Sequence, residues 1–121
     1  MNINNFSEQI GDLIGKDDLQ GAISLLSNLL KNSPKLDQVI LQSARFNDIM
    51  SQIRMGIVNF EEADLTKNKI RFALLSLVGE IEEASRTSAD VKGELDMIFE
   101  EVEKNQYTQN HSGQGDNIMN F

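Results

Sequence analysis

Cysteine and tryptophan are absent from this 121-residue chain, and histidine and proline occur once each. Without cysteine there is no disulfide scaffold, no thiolate metal site and no thiol nucleophile. A single histidine removes most zinc sites and most histidine-dependent triads. Basic side chains are scarce, 11 against 19 acids, for a formal net charge of −8. That balance argues against gripping nucleic acid by its phosphates or lying on an anionic membrane. Long apolar runs are also missing: Ala73-Leu74-Leu75 is far too short to cross a bilayer. Met1 to Phe6 has neither the basic region nor the apolar stretch of a signal peptide, so a cytoplasmic chain is expected.

What remains is 13.6 kDa with 40% hydrophobic and 25% charged residues, ordinary for one globular domain. One proline and no tryptophan suit helices better than strands. Phe6, Ile10, Leu13 and Ile14 share one face of a first helix over 4–14, with Gly15 as its exit. Asp17 and Asp18 then supply a cap and a favourable charge for a second helix reaching Lys31. Its apolar stripe is Leu19, Ala22, Ile23, Leu26, Leu29 and Leu30, and Asn32-Ser33-Pro34 breaks it.

A third helix spans 36–55, with Leu36, Val39, Ile40, Ser43, Phe46, Ile49, Met50 and Ile53 at spacings of three and four. Gly56 ends it, Ile57-Val58 forms a short apolar linker, and Asn59 caps a fourth helix whose first turn holds Glu61 and Glu62. From there Ile70, Leu74, Leu77, Ile81, Ala84, Ser88, Val91, Leu95, Ile98 and Val102 keep heptad phase. Two architectures fit: one helix from Glu61 to Glu103, or a stop near Glu83 with 85–88 linking to a separate fifth helix. The serines and threonine around Arg86 favour the break. The expected division is 1–84 for the helical domain, 85–104 for a carboxyl-terminal helix and 105–121 for a disordered polar tail. The tail is rich in asparagine and glutamine and ends in Asn117-Ile118-Met119-Asn120-Phe121, so a cross-β assembly motif is a secondary alternative to plain disorder.

No catalytic constellation stands out. Asp12, Asp17 and Asp18 lack the spacing of a calcium loop, and capping and solvation explain them. Glu80, Glu82, Glu83, Glu100, Glu101 and Glu103 lack the Glu-x-x-His partner of a di-metal bundle. His111 and Ser112 sit in the polar tail with no third group to orient the ring, and Gly113-Gln114-Gly115 follows no strand. The chain is expected not to be an enzyme and to hold neither metal nor cofactor.

The middle of the chain is more specific. Ile40-Leu41-Gln42-Ser43-Ala44-Arg45-Phe46-Asn47 leads through Arg54-Met55-Gly56-Ile57-Val58 to Glu61-Glu62-Ala63, then to Asn68-Lys69-Ile70-Arg71-Phe72-Ala73-Leu74-Leu75. Gly21-Ala22-Ile23 and Leu26 precede them. This order, over about 17–83, resembles the effector-associated domains of bacterial conflict systems, class eleven in particular. Phe46 and Phe72 stand where tyrosine is common in that class, a change expected to lose two hydroxyls and keep the packing.

The resemblance implies an all-α, death-fold-like adaptor: a compact bundle of four helices plus a carboxyl-terminal helix. It implies a protein partner carrying a similar helical domain, an effector or a sensor NTPase, recruited by homotypic association in bacterial defence signalling. The alternative is a self-assembling coiled-coil oligomer built on the seam from Ile70 to Val102, and a weaker one is a regulatory subunit of an enzyme.

Candidate interface residues are Arg45, Asn47, Arg54, Lys67, Lys69, Arg71, Leu95, Ile98 and Phe99. Arg45 either reaches Glu61 or Glu62 within the domain or offers its charge to a partner. Lys67, Lys69 and Arg71 make a basic patch between acidic ends, which suits head-to-tail pairing of unlike faces. Val91, Leu95, Ile98, Phe99 and Val102 form a stripe too apolar to face water: it packs back on the bundle or pairs with another chain, possible homo-oligomers included.

Overall fold

The computed structural model describes the backbone of residues 2–108 and the side chains of residues 2–101. Five helices follow one another: α1 (Ile3–Gly15), α2 (Leu19–Leu29), α3 (Leu36–Met55), α4 (Phe60–Thr87) and α5 (Ala89–Thr108). No strand occurs among the described residues, so the all-α expectation holds.

The second half of the chain resolves the choice between one long helix and two. The fourth helix runs past Glu83 to Thr87, and Ser88 alone is extended, at φ −133° and ψ 117°. Its hydroxyl accepts the Val91 N–H at 3.3 Å and so starts α5. That helix reaches Thr108, past the expected limit at residue 104; the expectations for 109–121 lie outside the described residues.

The fourth helix is the centre of the bundle and touches each of the other four. Ile70, Leu74, Leu77 and Ile81 are its buried stripe. They meet Phe6, Ile10 and Ile14 of α1, Leu19, Leu26 and Leu30 of the α2 region, and Val39 and Ile49 of α3. Leu95, Ile98 and Phe99 of α5 belong to the same core, and the Phe99 ring lies 5.7 Å from that of Phe6. The apolar stripe of the fifth helix therefore packs back on the bundle.

Two contacts fix helix directions. Lys35 at the start of α3 pairs with Glu80 at 3.4 Å, whereas Ile53 near its end lies beside Ala63, so α3 and α4 are antiparallel. Ser7 donates to Glu82 at 2.8 Å while Asp17 meets Arg71, so α1 also runs against α4.

Three details differ from the periodicity. Ile40 and Ile53, expected on the buried stripe of α3, are exposed, and Gln42 is buried with its Oε1 unpartnered. Phe72 is 73% exposed, so the packing expected of it is absent. The second helix stops at Leu29 instead of Lys31. At its start Asp18 accepts the Gly21 N–H at 2.9 Å. A Cβ on residue 21 would lie 2.6 Å from that carboxylate and displace the cap.

Candidate protein-interaction site

The turn between α3 and α4 is built by two residues with opposite demands. Gly56 takes the left-handed region at φ 70°, where its N–H reaches the Ile53 carbonyl at 3.0 Å and the Ile57 N–H reaches Gln52 at 3.1 Å. Asn59 opens α4 with a reciprocal cap: it accepts the Glu62 N–H at 2.7 Å, and its own N–H donates to the Glu62 carboxylate at 3.3 Å. In so short a turn Val58 packs against the core, and the other apolar side chains are left outside. Phe60 is 84% exposed and Ile57 65%, with Met55 and Ile53 exposed beside them.

Below this corner lies a cavity of about 420 Å³ lined by Asp17, Ile53, Val58, Asn59, Phe60, Ala63, Asp64, Lys67 and Arg71. Its apolar side comes from the end of α3 and the start of α4. Its polar side is a small ion network, with Arg71 Nη2 at 2.6 Å and Lys67 Nζ at 3.3 Å from Asp17, and Asp64 at 3.9 Å from Arg71. Partial burial pushes the Asp17 carboxyl up, but the hydrogen bonds and charges of Arg71 and Lys67 outweigh it, and its pKa falls below the ordinary 3.8. Asp17 itself has φ 63°, in the left-handed region that aspartate tolerates better than most residues. The residue that turns the chain out of α1 is therefore Asp17, and Gly15, the expected exit, remains helical.

Of the residues singled out in the sequence, Lys67 and Arg71 meet in the cavity wall, and Arg54 is exposed on the last turn of α3. Lys69 is exposed elsewhere on α4 and makes no ion pair among the described residues. Arg45 and Asn47 are exposed along α3. Arg45 reaches neither Glu61 nor Glu62. The antiparallel pairing sets residue 45 level with residue 70, roughly 14 Å along the helix from Glu61 at about 1.5 Å per residue, and Glu62 is engaged in the cap. Leu95, Ile98 and Phe99 are buried within the chain's own core.

Exposed Ile53, Met55, Ile57 and Phe60 were absent from the expected interface. Their signal was the apolar linker Ile57-Val58, at a turn where polar residues are usual. The corner joins a convex apolar rim to a concave seat with charge on one side. Such a shape has room for a protruding apolar side chain. Among the described residues no cluster of three histidine or acidic side chains is arranged to hold a metal ion. No described helix is long and apolar enough to cross a membrane.

Comparison with known proteins adds one finding. The family model for effector-associated domain 11 matches residues 5–82, a span that takes in most of α1, all of α2 and α3, most of α4 and the whole corner. No curated protein matches the chain, and no solved structure does. With well over half of its length inside that match, the chain belongs to the effector-associated domain 11 family.

Proposed function

We propose that the chain is a non-enzymatic adaptor that couples an effector to a sensor by association between helical domains of this kind, within bacterial defence signalling, in the cytoplasm. The observation that carries the reading is the exposed apolar corner of Ile53, Met55, Ile57 and Phe60 around a seat, inside the family-matched segment. An isolated domain gains nothing in stability from leaving those side chains in water, and a partner that covers them gains about 25 cal/mol for each Å². The ion network of Asp17, Asp64, Lys67 and Arg71 in the wall of the seat supplies orientation.

The coiled-coil alternative has less support. Ile70, Leu74, Leu77, Ile81, Leu95 and Ile98, which would form its seam, are buried in the chain's own core.

The test pairs the chain with proteins encoded by neighbouring genes that carry a similar helical segment. Titration calorimetry with the wild type and with Phe60→Asp is the measurement. A complex that Phe60→Asp weakens at least tenfold, with unchanged circular dichroism, is the expected result. Equal binding by the variant, or no complex with any such neighbour, would overturn the proposal.

A further inference from the structure

The side of α4 turned from the core carries a stripe of its own. Leu65, Lys69, Phe72, Ser76, Gly79 and Glu83 are exposed and recur at alternating steps of four and three, the spacing that lets one helix lie along another. Phe72 is 73% exposed and Leu65 59%, and Leu75 stands exposed beside them. The stripe changes along its length. Its first half is bulky, with Leu65 and Phe72, and its second half is small, with Ser76 and Gly79. A Cβ on residue 79 would meet nothing within 4 Å, so packing inside the chain gives no reason for a glycine in mid-helix, where it weakens the helix. Charge changes in the same direction. Lys69 makes no ion pair among the described residues, whereas Glu80 and Glu83 stand at the far end. Those two acids are not bare: Glu80 meets Lys35 at 3.4 Å and Glu83 meets Arg86 at 3.3 Å. The second pair joins exposed side chains on one turn, a contact that contributes little in water and that Glu83 can exchange for another cation.

We infer that this stripe receives the same stripe of a second copy of this chain, with the two α4 helices antiparallel. Reversal makes the face complementary to itself: each bulky half meets a small half, and each Lys69 meets an acidic end. A parallel pairing would set Phe72 on Phe72 and Lys69 on Lys69. With Phe72 of each copy level with Ser76 of the other, its ring lies beside the gap that Gly79 leaves three residues further on. Lys69 is then level with Gly79 of the other copy, one residue from Glu80 and one turn from Glu83, about 6 Å at about 1.5 Å per residue. The corner takes no part, because Phe60, Lys67 and Arg71 lie on another side of α4, at the seat. Such a contact joins one surface to itself about a two-fold axis and closes at two chains. One helix from each copy makes a small interface, so the dimer is weak and depends on concentration.

Sedimentation equilibrium of the full chain across a concentration series tests the pairing. The wild type rises from the monomer mass toward twice that mass and no further. Phe72→Asp stays monomeric, and Gly79→Leu, for which the chain itself has space, raises the dissociation constant at least tenfold; both keep the wild-type circular dichroism. Lys69→Glu and Glu83→Lys each weaken the dimer, and the double variant regains it, because each attraction is restored with its signs exchanged. A wild type that remains monomeric or grows past the dimer, a Phe72→Asp or Gly79→Leu variant that pairs like the wild type, or a double variant no tighter than the single ones would each overturn the inference. The adaptor reading is scored separately. Phe60→Asp pairs like the wild type here and fails only in binding the neighbouring gene product, and a Phe60→Asp chain that no longer pairs would move the contact to the corner and overturn the inference as well.

Discussion

Asp17 and Gly56 occupy the same place in the same hydrogen-bond pattern, yet only one of them is a glycine. The Asp17 N–H donates to Ile14 at 3.1 Å and the Asp18 N–H to Leu13 at 2.8 Å, matching the two bonds that close α3 around Gly56. A glycine at 17 would relieve the left-handed backbone but would lose the carboxylate that holds Lys67 and Arg71. Asp17→Gly is therefore expected to change stability by less than about 1 kcal/mol, while Asp17→Val, strained and uncharged, loses roughly 1–3 kcal/mol in urea unfolding. The charge contribution has a definite pH window. Because the folded pKa is depressed, the stabilisation is present above the ordinary value of 3.8 and is lost as pH falls through the folded value. The stability gap between wild type and Asp17→Asn should close over that acid range, and urea midpoints taken from pH 6 downward will show it. In the sequence Gly15 looked like the natural exit from α1. Nothing there shows that two cations 50 and 54 positions away compensate an aspartate for taking the left-handed turn.

At the level of the helices, most of the architecture was legible. Stripes at three- and four-residue spacing located α1 to α4, because burying one face of each helix is what holds this fold together. Periodicity could not decide between one long helix and two, since the seam keeps its phase from Ile70 to Ile98 through the break. The decision rests on Ser88 alone, whose extended backbone and capping hydroxyl turn α5 back onto α1 and α4. Ser88→Ala removes that cap and is expected to cost about 1 kcal/mol, measured by thermal or urea unfolding. The interaction corner was harder to see. A spacing rule finds apolar residues on a face, but it does not say whether another element covers them, and Ile40, Ile53 and Phe72 remained in water for want of a neighbour.

The whole molecule is larger than the segment that marks its family. The match ends at residue 82, yet Leu95, Ile98 and Phe99 close the core over Phe6. Phe99→Ala is expected to destabilise the domain by roughly 3–5 kcal/mol, as much as a core position inside the match, and urea denaturation will measure it. The sequence could present that stripe only as a choice between packing back and pairing outward. The outcome depends on the space left beside α1 and α4, which no single segment encodes. The hinge at Ser88 gives this arrangement a further property. Were that residue to become helical, α4 and α5 would fuse into one rod of about 70 Å, at about 1.5 Å per residue. The stripe of Leu95, Ile98 and Phe99 would then leave its own Phe6 and lose the core contacts that bury it. One extended residue thus separates a self-contained fold from an open rod with its apolar stripe bared.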